Sequence, residues 1–290
     1  MDYALHILIV AAIYTVLAGS LDLLAGRTGL LSVAHAAFYG LGAYTSALLA
    51  VRWGCGFLPG VLGGMGVAAL VSFIVSLPSL RLHDDYFVIA TFGFQMILFS
   101  VFNNWTDLTR GPLGIPGIPQ PVIFGWHVTT HWEFLMLSSI FAFLASFTVH
   151  RLSSSPFGRV LHAIREDEVL ATSFGKNTLR FKVTAFAVSA SLAASAGSLY
   201  AHYITYIDPS SFTVMESILV ISMVIIGGAG STWGPLIGAV VLVALPEALR
   251  LIGLPGGVAA NLRQVFYGAL LVTMIMFRPR GLVGRYWLNK

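Results

Sequence analysis

Long apolar stretches alternate with short polar ones along the whole chain. Tyr3 to Leu24 carries a single charge, Asp22, near its far end. A helix needs about 20 apolar residues to cross the hydrocarbon core of a bilayer. The pattern predicts nine membrane segments, near residues 3–24, 30–51, 57–77, 86–102, 133–150, 183–202, 214–227, 235–249 and 264–277. The last three are shorter than a full crossing, which indicates broken or re-entrant helices among them.

Composition supports the same fold class. Hydrophobic residues make up 57% of the 290 residues and charged residues only 10%, against about 25% charged residues in soluble domains. Asp2 follows Met1 and the first basic residue is Arg27, so the first segment lacks the positive start of a signal peptide. We therefore expect an all-α, polytopic transmembrane helical bundle, with residues 1–290 forming one domain.

The distribution of Lys and Arg predicts the orientation of the chain. Loops of nine crossings alternate sides, and basic residues of short loops favour the cytoplasm. With the C-terminus inside, the cytoplasmic group is Arg27, Arg81, Arg151, Arg159, Arg165, Lys176, Arg180, Lys182, Arg278, Arg280, Arg285 and Lys290. The outer group is Arg52, Arg110, Arg250 and Arg263. The N-terminus is thus predicted outside and the C-terminus in the cytoplasm.

Two connections are long enough to hold structure of their own. Residues 103–132 are rich in Pro and Gly with one basic residue, which suits an ordered extracytoplasmic loop. Residues 151–182 are polar, carry six basic residues and fall on the cytoplasmic side. We expect the second connection to dock a cytoplasmic partner.

Small residues at helical spacing indicate close packing of helices. Gly230, Gly234 and Gly238 recur every four residues, and Ala36 and Gly40 form a second small face. Missing side chains let backbones approach closely in membranes. His35 lies beside the second face, and an interhelical hydrogen bond is its more common role than ligand binding or proton relay.

No catalytic or cofactor motif is visible. Gly227-Gly-Ala-Gly and Gly175-Lys176 lack the Lys-Ser or Lys-Thr of a nucleotide loop. The histidines show no metal-ligand spacing, no nucleophile elbow is present, and the single Cys55 excludes a Cys-rich metal site. We expect no catalytic residues, no metal and no cofactor, and no nucleic-acid partner, because the basic residues follow the loops rather than a binding motif.

Four carboxylates would be the candidates for ion coupling: Asp22, Asp208, Glu216 and Glu247. The first three lie at predicted segment ends, and Glu247 precedes Arg250 by about one helical turn. Interfacial, paired charges are therefore favoured over mid-membrane ion sites.

Residues 155–177 carry the strongest functional pattern. Ile164, Glu168, Ala171 and Gly175 space a short helix that begins after Pro156 and ends at glycine. This segment resembles the cytoplasmic loop of ATP-binding-cassette importer permeases, with Glu168, Ala171 and Gly175 at matching positions and Leu170 in place of the usual alanine.

Most of the chain resembles the branched-chain amino acid permease family of the LivM type. The stretches that carry the resemblance are residues 29–44, 85–94, 103–115, 164–168, 206–212 and 227–235. Leu30 and Arg110 depart from the usual glutamine and glycine there.

The resemblance implies a subunit that forms half of a translocation pathway in the bacterial cytoplasmic (inner) membrane. Its partners would be a homologous second permease, two ATPase subunits and an extracytoplasmic solute-binding protein. It also implies an ATPase-coupling role for Arg165, Glu166, Asp167, Glu168, Ala171 and Gly175. Leucine, isoleucine or valine are the implied solutes; urea or short amides, as carried by closely similar permeases, are the alternative. An ion-coupled secondary transporter is the rival class.

Overall fold

The computed structural model describes residues 2–80, 84–123, 125–250, 256–278 and 280–284. Arg81, Arg285 and Lys290 lie outside these residues, as do the side chains of Glu247 and Arg250. Within the described residues the α-helices are α1 (Asp2–Ala25), α2 (His35–Trp53), α3 (Phe57–Ser79), α4 (Asp84–Asn104), α5 (Thr106–Thr109), α6 (His131–Ser154), α7 (Pro156–Glu166), α8 (Glu168–Ser173), α9 (Thr178–Ile204), α10 (Val214–Gly227), α11 (Gly234–Arg250) and α12 (Gly256–Phe277).

Each of the nine predicted segments coincides with a helix, and together these helices make the chain an all-α membrane protein. Among the described residues, five helices are long and apolar enough to cross a membrane: α1, α3, α4 from Tyr86, α6 and α9. Two shorter apolar helices are Val214–Gly227 and Gly234–Pro246. Of the three late segments expected to be short, α10 has 14 residues and α11 has 17, whereas α12 is longer than expected, with 22 residues.

Small β-ladders supplement the helices in the loops. β1 (Ile115–Pro116) pairs antiparallel with β4 (Tyr206–Ile207), and β2 (Val122–Ile123) pairs with β3 (Trp126–His127). The β1–β4 pair ties the long loop after α4 to the segment after α9. This loop is therefore ordered by backbone pairing rather than by helix alone.

α9 lies at the centre of the bundle because its small residues let neighbours approach. A Cβ atom on Gly197 would lie 1.8 Å from the carbonyl oxygen of Tyr39 in α2. A Cβ on Gly42 of α2 would lie 2.0 Å from the Ala194 oxygen in α9. Backbones this close need the absence of side chains, as is typical of membrane helix interfaces. His35–Ser189 and Ser46–His202 contacts show that α2 and α9 run parallel.

Two helices begin inside the bundle rather than at its ends. α2 begins beside Ser189, about 16 Å along α9 at 1.5 Å per residue. α10 begins beside Tyr14, which lies halfway along α1. The first turns of α2 and α10 also touch, because the Ala36 amide donates to Ser217 Oγ at 3.0 Å.

Side chains from neighbouring helices satisfy the backbone at this break. The Ala37 amide donates to Gln95 Oε1 (2.7 Å), and the Val33 amide donates to Thr91 Oγ1 (3.2 Å). Gln95 Nε2 donates to the carbonyl of Phe212, just before α10 (2.8 Å). Non-helical backbone at membrane depth persists only when protein groups bond it in this way.

The glycines singled out in the sequence differ in position. Gly234 and Gly238 lie on α11, and Cβ atoms there would lie 2.2 Å from the Gly228 oxygen and 1.9 Å from the Met223 oxygen. Gly230 does not share their helix, because it precedes α11 and takes φ +78°. A Cβ on Gly40 would meet the Phe102 ring at 2.6 Å, and Ala36 is fully buried.

We expect Gly238→Ala to destabilise the protein, because the new methyl group would overlap the backbone of α10. Overpacking of this kind costs about 1–3 kcal/mol. Gly66→Ala in α3 is the matched control, since a Cβ there meets no atom within 4 Å. The measurement is thermal unfolding of the purified protein in detergent. Equal melting temperatures for the two variants would contradict close packing at Gly238.

Candidate functional site

The polar segment after α6 folds into two short helices. Ser155 caps α7 by accepting a hydrogen bond from the Gly158 amide at 3.3 Å, and Pro156 occupies the first helical position. α7 ends at Glu166. Asp167 is extended at φ −158° and caps α8 by accepting from the Leu170 amide at 2.9 Å.

The prediction of one continuous helix from Pro156 to Gly175 is therefore wrong. Asp167 is an N-cap residue, and an N-cap leaves the helical conformation so that its side chain can bond the next turn. Gly175 does end the element as predicted, at φ +74°. Its amide donates to the Thr172 carbonyl at 2.8 Å, and the Lys176 amide donates to that of Ala171 at 3.3 Å.

One face of this pair packs inward and the other carries exposed apolar groups. Leu161, Ile164 and Ala171 are buried. The exposed side chains on α8 and after it are Val169, Leu170 and Phe174, with 77%, 54% and 75% of their surface accessible. A cleft of about 390 Å³ lies between α7 and α8, lined by Pro156, Arg159, Val160, Ala163, Ala171, Phe174 and Lys176. Exposed apolar groups beside such a cleft are typical of a protein-binding surface.

Two contacts fix the segment to the membrane helices. The Arg165 guanidinium donates to the carbonyl of Gly26, at the end of α1. Glu168 pairs with Lys182 of α9 at 2.5 Å, and the Lys182 side chain is almost fully buried. Glu168 thus engages a cation of its own chain, whereas Glu166 and Asp167 are exposed. A displacement of α7 or α8 would be passed directly to α1 and α9.

A buried charge cluster lies next to the Arg165 contact. Asp22 Oδ1 accepts from the Gly230 amide at 2.6 Å, and Oδ2 lies 3.6 Å from Arg27 Nε. Asp22 has no exposed surface and Arg27 has 4%. The expectation of a paired Asp22 is confirmed, but the residue is inside the protein rather than at an open interface. The cluster joins the end of α1 to the loop before α11.

Other polar groups lie deeper in the bundle. His35 Nε2 contacts Ser189 Oγ at 3.0 Å, so the expected interhelical hydrogen bond is confirmed. Glu216 accepts a hydrogen bond from Tyr14, which places its carboxylate at the middle of α1. The expectation of an interfacial Glu216 is wrong, because α10 begins within the bundle. Asp208 instead caps the 3-10 turn Pro209–Phe212 through the Ser211 amide at 3.2 Å.

Sequence reasoning missed several of these groups. The sequence around Lys182 gives no indication that it pairs with Glu168, since the two residues are 14 positions apart. Gln95 could have been found, because it is the lone amide side chain within the apolar run 86–102. Its role as a backbone partner needed the fold. Within the described residues no three His, Cys, Asp or Glu side chains are placed to hold a metal ion.

Comparison with known proteins gives a consistent result. The family described as "Branched-chain amino acid transport system / permease component" matches residues 3–275. The high-affinity branched-chain amino acid transport system permease protein LivM of Salmonella typhimurium is 36% identical, over 93% of this chain and 68% of its own. LivM of Escherichia coli K12 is 34% identical over the same shares.

The LivH permease protein of the Escherichia coli K12 system is 26% identical over 96% of this chain and 93% of its own. No solved structure matches this chain. Because the family match covers almost the full length and includes the helices, the break and the α7–α8 segment described above, this chain belongs to the family of permease components of branched-chain amino acid transport systems.

Proposed function

We propose that the chain is a permease subunit of an ATP-driven importer in the bacterial inner membrane. Residues 1–290 form one transmembrane domain that supplies half of the pathway, and a homologous second permease supplies the other half. Two ATPase subunits bind and hydrolyse ATP, so the chain is not an enzyme and needs no cofactor. The single observation that carries this proposal is the capped α7–α8 pair, which bears exposed apolar groups and is tied to α1 and α9.

The positions of the proposed coupling residues within 151–182 suit the transmission of movement from an ATPase subunit to the membrane helices. Val169, Leu170 and Phe174 present the apolar contact to an ATPase subunit. Exposed Glu166 and Asp167 lie at the junction of α7 and α8. Buried Ala171 and the turn at Gly175 hold α8 against the cleft. Arg165 and Glu168 then transmit movement through Gly26 and Lys182.

The solutes are proposed to be leucine, isoleucine and valine, the class named for the LivM and LivH relatives. In this arrangement the extracytoplasmic binding protein delivers the solute, and alternating access of the two permeases moves it. The interior of the described bundle favours a small solute that is neutral or zwitterionic, because the charged side chains there are few and mostly paired.

The positions of the two ends of the chain support the proposed nine crossings with the N-terminus outside. The Leu282 amide donates to the Ile226 carbonyl at 2.9 Å, on the side that carries Gly230, Asp22 and Arg165. His6 bonds Tyr203 near the other end of α9, at 2.7 Å. The C-terminal segment and the coupling segment therefore share one side, and the start of α1 lies on the other.

ATP-dependent uptake of radiolabelled leucine by vesicles that contain the assembled transporter tests the function. We expect valine to compete, and urea and phosphate not to, because apolar side chains and a zwitterionic head distinguish the proposed solutes. Competition by urea alone would favour a short-amide importer. Uptake that persists without ATP and collapses with an ionophore would instead establish a secondary transporter.

Cysteine labelling tests the orientation in a Cys55→Ala background. We expect an impermeant maleimide added outside to label Asp107→Cys, which is exposed in the loop after α4. Lys176→Cys and Leu282→Cys should react only after the membrane is opened. Position 285, in the basic C-terminal tail, is expected to behave like Leu282. The reverse pattern would overturn the N-out, C-in arrangement.

Gly175 variants test the coupling role. A Cβ at Gly175 would meet no atom within 4 Å, so crowding cannot explain a defect there. Its φ of +74° is costly for a β-branched residue and tolerated by asparagine. We therefore expect Gly175→Val to lose most uptake and Gly175→Asn to keep it, with both variants reaching the membrane. Normal ATP-coupled uptake in Gly175→Val would remove the coupling role.

A further inference from the structure

Four tyrosines and one carboxylate converge inside the bundle, near the start of α10. Tyr14 donates a hydrogen bond to Glu216. The Tyr39 and Tyr200 rings lie 5.5 Å apart, and both hydroxyls are within electrostatic range of Glu216. Tyr267 of α12 is within the same range of Tyr14. We name this group, from α1, α2, α9, α10 and α12, the tyrosine cluster.

Glu216 is unusual for its position. A carboxylate at the middle of a membrane helix is costly and tends to be functional. Its place in the first turn of α10 lowers that cost, because helix N-termini favour negative charge. Within the described residues, however, its hydrogen-bond partner is the neutral Tyr14 and no cation pairs with it. The acceptor capacity of the carboxylate exceeds what one hydroxyl uses.

A second, independent observation points to a ligand. The Tyr39 hydroxyl is buried, with 1% of the residue exposed, and has no hydrogen-bond partner among the residues that the structure describes. A buried hydroxyl without a partner costs free energy, so such groups in native proteins usually have a reason. Tyr14, Tyr200 and Glu216, in contrast, are not fully buried as residues.

A polar path leads to the cluster from the end of α9. Tyr200 donates to Ser211 Oγ (3.4 Å), and Ser211 Oγ donates to Asp208 Oδ1 (3.0 Å). Asp208 lies just after β4, which belongs to the extracytoplasmic side in the proposed orientation. Asp208 and then Glu216 therefore lie along the path from that side to the middle of the bundle.

We propose that the tyrosine cluster binds the ammonium group of an amino-acid solute during its passage. Glu216 supplies the countercharge, Tyr39 supplies a free hydroxyl, and the tyrosine ring faces stabilise the cation. This inference rests on the proposed function and adds the site at which the pathway recognises one end of the zwitterion.

Saturation-transfer NMR on the assembled transporter in nanodiscs tests the site without the binding protein. The probes are L-leucine, 3-methylbutylamine, which keeps only the ammonium group, and 4-methylpentanoate, which keeps only the carboxylate. We expect leucine and the amine to bind the wild-type protein. Glu216→Gln should weaken both by about tenfold or more, since it removes a charge-assisted hydrogen bond, and leave 4-methylpentanoate unchanged.

Tyr39→Phe is the matched variant that separates a site from a structural role. Because the hydroxyl has no partner among the described residues, a purely structural role predicts an unchanged or higher melting temperature and unchanged binding. The proposal expects the same melting temperature together with weaker binding of the amine. Glu216→Gln can still accept the Tyr14 hydrogen bond, so loss of helix packing does not explain its effect.

Unchanged amine binding in both Glu216→Gln and Tyr39→Phe overturns the ammonium site. ATP-driven leucine uptake by the wild-type transporter, measured in parallel, shows whether the proposed importer function survives such a result.

Discussion

The absence of water in the hydrocarbon core constrains this structure more than any other factor. A backbone amide there must find a protein acceptor, and continuous helices achieve this without help. α2 and α10 are not continuous with what precedes them, and both begin deep in the bundle. The start of α2 is possible because Gln95 and Ser217 accept from amides of its first turn and Thr91 accepts from the Val33 amide just before it. Three polar side chains thus permit a break that apolar packing alone would forbid.

The break determines where chemistry can be located. Because α10 begins beside the middle of α1, its first-turn residue Glu216 lies deep in the bundle. In a helix that crossed the whole membrane, an apolar residue would occupy this depth. Small residues on α9 and α2 bring the neighbouring helices close enough to bury the Tyr39 hydroxyl. Close packing and the discontinuous helices together create a polar region surrounded by protein rather than by lipid.

The α7–α8 segment shows the opposite arrangement, in which short helices are held to the bundle by charged contacts. Caps at Ser155 and Asp167 define two short helices, and Arg165 and Glu168 attach them to α1 and α9. The loop before α11 joins the same region through Asp22 and Gly230. A push on the exposed apolar face of α8 would therefore reach α9 through Glu168 and the end of α1 through Arg165, and then the loop before α11 through Asp22.

The sequence alone determined the membrane class, the nine helical segments and the polar helical segment between α6 and α9, because hydrophobic runs of fixed length and glycine or proline stops are local signals. The positive φ at Gly175 was predictable for the same reason. Only the tertiary structure decided that Asp167 divides this segment into two helices and that Glu168 pairs with Lys182. It also decided that Glu216 lies inside the bundle instead of at its edge. Those outcomes depend on contacts between residues far apart in the chain, such as Tyr14 with Glu216. The depth at which a helix begins is set by the partners that accept hydrogen bonds from its first amides, rather than by its own residues.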